Sequence, residues 1–131
     1  MKGAVLFVSS SVEDARTLVP MLDAVGIPFS HATDLAQAKK LLESNVFSAV
    51  LTEVNLPDGT WKDVVGSVGQ IRRGVAVVVT DLLADTSLWV DVLEFGAYDL
   101  LPKPFCCGEV QRILTNAVDR PPLLTKFPSA A

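Results

Sequence analysis

Cysteine and histidine are nearly absent from this chain. Its two cysteines, Cys106 and Cys107, are adjacent, and its one histidine is His31. Neighbouring cysteines seldom form a disulfide, because the bridge geometry is hard to reach across one peptide bond. A reduced, cytoplasmic setting is the natural reading. Two thiols and one imidazole also fall short of a zinc site. No apolar run approaches the roughly 20 residues that span a bilayer, and the opening MKGAVLFV lacks the long apolar core of a signal peptide. Positive charge is in the minority, with 11 Lys and Arg against 15 Asp and Glu and a net charge of −4. Such a balance gives no sequence-wide reason to seek nucleic acid or an anionic membrane. Internal repeats and low-complexity segments are missing as well.

Apolar residues are plentiful, at 50% of the 131 residues. That is ample for a core on both faces of a sheet. The length fits one domain, assigned to residues 1–120. Pro121 and Pro122 close it, and residues 121–131 are expected to be a tail or the start of a linker. Residues 3–8 are a continuous apolar run, fit for a strand covered on both sides. Ser9, Ser10 and Ser11 then offer helix caps, and Val12, Ala15, Val19 and Leu22 recur at helical spacing. Residues 27–32 read as a second strand and His31 as a half-exposed residue on it. Thr33 or Asp34 caps a helix carrying Leu35, Ala38, Leu41 and Leu42. A third strand ends at Glu53, and a Leu-Pro-Asp-Gly turn follows. The stretch from Trp61 to Ile71 reads as a weak helix, with Gly66 and Gly69 each costing about 1 kcal/mol against Ala. Residues 75–79, almost all β-branched, are a fourth strand. Residues 84–95 are a helix with Leu88, Val92 and Phe95 as its core stripe. Residues 98–101 are a fifth strand, and Val110, Ile113, Leu114 and Ala117 mark the last helix.

Five alternations of strand and helix predict an α/β domain: a doubly wound, five-stranded parallel sheet in the order 2-1-3-4-5. In such sheets, sites form beyond the C-terminal strand edge. Four apolar runs end there in polar residues. Ser9, Ser10, Glu53, Thr80 and Lys103 are therefore expected to converge on one crevice.

With those positions in place the chain resembles a response-regulator receiver domain over about residues 3–118. The resemblance rests on Leu56-Pro57-Asp58-Gly59 after the third strand, on Gly96-Ala97-Tyr98-Asp99, and on Lys103-Pro104-Phe105. It implies a flavodoxin-like fold and a part in two-component phosphorelay signal transduction. It also implies a cis peptide between Lys103 and Pro104. The family accepts a phosphoryl group on an aspartate at the end of the third strand; here that position is Glu53. The acidic pair that holds Mg²⁺ falls on Ser9 and Ser10. The hydroxyl and the lysine that grip phosphoryl oxygens fall on Thr80 and Lys103, and the switch aromatic falls on Leu100. Serine hydroxyls bring no charge to Mg²⁺, so metal binding is expected to be weak or absent. The extra methylene of Glu53 displaces its carboxylate by about 1.5 Å, and a 1 Å misplacement can cost on the order of 10²-fold in rate. The expectation is a pseudo-receiver, a binding module rather than an enzyme, in which Glu53 pairs with Lys103. A plainer reading leaves that pair partly solvated and of little consequence.

Other chemistries fit less well. A mononucleotide- or flavin-binding flavodoxin-like domain would cradle phosphate on the first strand-to-helix turn, but that turn holds no glycine and Glu53 would repel the anion. A Ser-Lys hydrolase lacks a nucleophile elbow. Cys106 and Cys107, where the last helix begins, are read as small packing residues. Trp89 and Leu93, four apart on the fourth helix, form a second apolar stripe. With Leu100 they are expected to be the interface for a protein partner, either a second copy or an output or sensor protein.

Overall fold

The computed structural model describes residues 3–71, 74–82 and 85–119; the expected tail, 121–131, lies outside them. The elements in chain order are β1 (Val5–Val8), α1 (Val12–Asp23), β2 (Phe29–Ala32), α2 (Leu35–Ser44) and β3 (Ala49–Glu53). Two-residue strands β4 (Asn55–Leu56) and β5 (Gly59–Thr60) follow. Then come α3 (Trp61–Ile71), β6 (Ala76–Asp81), α4 (Thr86–Phe95), β7 (Asp99–Pro102) and α5 (Cys107–Asp119). The main sheet has the order β2-β1-β3-β6-β7, and its paired strands are all parallel. Counting the five long strands alone, this is the expected 2-1-3-4-5 arrangement.

Residues alternate along each strand between two packed faces. Phe7, Leu51, Val78 and Leu101 face α1 and α5, and meet Leu18, Leu22, Ile113 and Leu114 there. Leu6, Val8, Val50 and Val77 face α2 and α3, and meet Leu42, Val64 and Val68. Val79 and Leu100 join Trp61 and Val92 in a smaller cluster under α4. The central strands β1, β3 and β6 are thus covered on both sides, which explains their unbroken apolar runs.

Several local expectations need correction. The buried stripe of α1 is Ala15, Leu18 and Leu22, while Val12 and Val19 are exposed. The helix is turned so that Leu18, larger than either valine, enters the core; burying such a side chain contributes about 1.5–3 kcal/mol. In α4 only Val92 is buried. Phe95 lies on the surface, edge-on to Trp61 at 5.4 Å between ring centroids, with Lys62 Nζ 5.4 Å above its ring. Cys106 and Cys107 are exposed free thiols and do not pack. The turn after β3 is a small antiparallel hairpin, Asn55 opposite Thr60 and Leu56 opposite Gly59.

Asp58 at the tip of that hairpin does more than turn the chain. Its Oδ1 accepts from the Leu35 N–H at 2.8 Å and its Oδ2 from the Ala36 N–H at 3.1 Å. It thereby closes the N-terminus of α2, where Asp34 already accepts from the Gln37 N–H at 2.8 Å. These donated hydrogen bonds, that from Leu35 first, hold the Asp58 carboxyl below its ordinary pKa. Gly96 ends α4 at a φ of 105°, a conformation that disfavours any residue with a Cβ.

Candidate functional site

The parallel register sets the crevice. Val8 pairs with Thr52 and Glu53 with Thr80, so β1, β3 and β6 end side by side. The Lys103 N–H donates to the Asp81 carbonyl at 3.1 Å, which carries the chain from β7 across the end of β6. The Lys103–Pro104 peptide is cis.

Lys103 Nζ donates to Glu53 Oε2 at 2.6 Å and to Asp14 Oδ2 at 2.7 Å. The three side chains retain 17% (Lys103), 16% (Glu53) and 26% (Asp14) of their exposure. Burial opposes the ammonium charge, but the hydrogen bonds to Asp14 and Glu53 and the charges of the two carboxylates outweigh it. The pKa of Lys103 is consequently held above that of a free lysine. Asp14 was not foreseen as a site residue. It lies in the first turn of α1, where an acid is favoured by the helix dipole in any case. Its position just before Ala15 and four before Leu18, both buried, was the available signal that it flanks the core-facing side.

Ser9 and Ser10 part company. Ser9 is fully buried. Its Oγ accepts from the Ser11 N–H at 2.9 Å, and its carbonyl accepts from His31 Nε2 at 2.7 Å. His31 stacks on Phe7, with 5.7 Å between ring centroids, so its role is to brace the end of β1. Ser10 is exposed. Ser11 Oγ caps α1 by accepting from the Asp14 N–H at 3.1 Å. The first strand-to-helix turn is therefore closed on itself, with two of its N–H groups directed to serine hydroxyls rather than toward a phosphate.

These donors do not fit a Mg²⁺ ion. One Ser9 lone pair already serves Ser11, Ser10 faces solvent, and neither brings negative charge. The two carboxylates of the crevice are joined by an internal ammonium. Among the described residues no group of three or more His, Cys, Asp or Glu is gathered as a metal site.

Thr80 is fully buried, and among the described residues its Oγ1 has no hydrogen-bond partner. Leu100, expected on the interface, is only 8% exposed and packs with Trp61, Val79, Val92 and Ala97. It belongs to the core because it alternates with the Leu101 side chain, which fills the opposite face. Trp89 and Leu93 do stand at the surface, 47% and 40% exposed. Between α4 and β7 a cleft of ≈ 250 Å³ is lined by Asp85, Thr86, Trp89 and Pro102, with Leu100 at its floor.

No protein-family model matches the chain. Among curated proteins it is 28% identical over 106 residues to the response regulator protein PilR of Pseudomonas aeruginosa, covering 80% of this chain and 24% of that protein. The chain spans about a quarter of the length of the first curated relatives it matches. Among solved structures, a putative response regulator from Chloroflexus aurantiacus superposes with a TM-score of 0.83 at 23% identity, covering 92% of this chain and 100% of that one. The beryllofluoride-activated NtrC4 receiver domain dimer superposes with a TM-score of 0.81 at 23% identity, covering 88% and 95%. The fold is that of CheY-like receivers. Relatives and neighbours together support a response-regulator receiver domain of two-component signalling. Among the described residues no helix is long and apolar enough to cross a membrane.

Proposed function

We propose that this receiver domain is of the atypical kind: it is not phosphorylated at the usual position and acts as a protein–protein interaction module in the reducing cytoplasm. One observation carries the reading. The ammonium that would grip a transferred phosphoryl group is already held by Glu53 and Asp14, at 2.6 and 2.7 Å. Phosphoryl transfer depends on positioning and on neutralising charge on the oxygens. Here one ammonium faces two carboxylates, a formal sum of +1 − 2 = −1 before any phosphate arrives. The serines in the metal positions add nothing to offset it.

In this reading Glu53 takes the part of a permanently occupied acceptor, and its longer side chain reaches the lysine directly. Leu100 cannot carry a polar ring between buried and exposed positions, so the fifth-strand element no longer switches. What remains for function is contact, through the exposed stripe of α4 around Trp89 and Leu93, with a second copy or an output or sensor protein.

Intact-mass analysis after incubation with acetyl phosphate and Mg²⁺ tests the proposal. The expected result is no phosphoryl adduct. An adduct that disappears in Glu53→Gln would overturn it.

A further inference from the structure

We propose that Cys106 and Cys107 form a two-thiol chelating site for a soft trivalent metalloid, an organic arsenical bound through both sulfurs.

Both thiols are free and exposed, although cysteine is among the residue types most often buried. Packing therefore accounts for neither. The backbone that carries them is held from both sides. Phe105 packs against the core, edge-on to Phe7 at 6.5 Å between ring centroids. Val110 opens the buried face of α5, and its N–H donates to the Cys106 carbonyl at 2.9 Å. Gly108 follows the pair, and a Cβ there would meet nothing within 4 Å, so a bulky group has room beside the two cysteines. Glu109, next along the helix, pairs with Arg112 at 2.7 Å.

Adjacent Cα atoms lie about 3.8 Å apart across a trans peptide, below the roughly 4.4–6.8 Å that a disulfide prefers. The pair thus resists closing on itself. One inserted atom removes that obstacle. With bonds to sulfur of about 2.3 Å, as in zinc thiolates, it holds the sulfurs roughly 3–4 Å apart rather than at about 2.05 Å. Helical phase does not oppose the approach. Helix α5 begins at Cys107, so Cys106 precedes it and is free of the roughly 100° step between consecutive helical residues.

The donor set selects the ligand. Thiolates favour soft centres over Mg²⁺ or Ca²⁺. Structural zinc takes four ligands, and among the described residues no third His, Cys, Asp or Glu gathers with the pair. The imidazole of His31 is engaged with the Ser9 carbonyl at 2.7 Å. Trivalent arsenic that carries one organic group needs two further donors, the number present. The step is a condensation in which arsenic stays trivalent. Two S–H bonds and the arsenic–oxygen bonding of an arsine oxide break, two As–S bonds form, and the oxygen leaves with both protons as water.

The test uses the full chain, reduced and then freed of reductant, with phenylarsine oxide as the probe. Intact mass should rise by one reagent less one water per chain. The adduct should survive excess mercaptoethanol, a monothiol, and be released by dithiothreitol, a dithiol. Cys106→Ser and Cys107→Ser should each weaken retention by about 10²-fold or more, the scale gained by joining two binding events in one molecule. Their amide NMR spectra should match the parent away from the start of α5. The proposal is overturned if either variant holds the reagent as tightly as the parent, if the monothiol strips the parent, or if the chain takes up none or two molecules. It is also overturned if mild oxidation removes two hydrogens from a monomer by closing Cys106 onto Cys107. Glu53 takes no part in this chemistry, so the outcome is independent of the reading given to it.

Discussion

Replacing Lys103 with methionine keeps the length of the stem and removes the charge. Glu53 and Asp14 would then face each other across a crevice that leaves them 16% and 26% exposed. Removing one partner of a fully buried ion pair costs about 3–5 kcal/mol, and exposed pairs are worth ~0–1 kcal/mol. Residual exposure lowers the first figure, and the loss of two partners rather than one raises it. We therefore expect a destabilisation of about 2–3 kcal/mol. With a urea m-value of about 1–3 kcal/mol per molar, the midpoint should fall by roughly 1–2 M at constant m. Two further arms isolate the cause. Lys103→Met combined with Glu53→Gln should recover part of the loss, because the orphaned carboxylate is gone, and a double-mutant cycle gives the coupling. The pH dependence has a defined sign: the folded pKa of Lys103 is raised, so its contribution is fully present below the unfolded value of about 10.4 and is lost as pH rises through the folded value. A midpoint that moves by less than a quarter molar, or a coupling of zero, would refute the reasoning and leave the pair an incidental surface contact.

Thr80→Val should stabilise the domain by about 1 kcal/mol in the same urea assay, since a buried hydroxyl without a partner is replaced by a methyl of similar shape; a loss of stability would mean that the hydroxyl has a partner in solution. Asp58→Asn should lower the thermal midpoint near neutral pH, because a charged acceptor is lost from the start of α2. Its folded pKa is depressed, so the contribution is present above the unfolded value of about 3.9 and disappears as pH falls through the folded value. Melting curves of the two proteins should therefore converge in acid, and a gap that persists there would contradict the assignment.

The sheet was legible in the sequence because its strands are buried on both faces and end abruptly in polar residues. Val8, Thr52 and Val79 are fully buried, and the residues just beyond them, Ser9, Glu53 and Thr80, stand at the C-terminal edge of their strands. Helix phase was harder to read. In α1 the series Val12–Ala15–Val19–Leu22 and Ala15–Leu18–Leu22 overlap, and periodicity alone does not choose between them; volume against the sheet does. In α4 apolar residues occupy almost every side, so Phe95 could not be distinguished from a core residue by spacing. Asp14 was missed because a first-turn acid has a sufficient local explanation. Its link to Lys103 exists only once α1 and the loop before α5 are folded against the same strand edge. Asp58 was hidden in the same way behind an adequate turn signal.

The two bonds of Lys103 span 50 and 89 residues of chain. Contacts between such distant positions require large loops to close first, and a single side chain joining three segments has little to hold until all three have docked. An interaction absent from the folding transition state hardly alters the rate of folding, and its whole weight falls on the rate of unfolding. Lys103→Met is therefore expected to speed unfolding while leaving the folding rate nearly unchanged, which stopped-flow folding kinetics in urea would check.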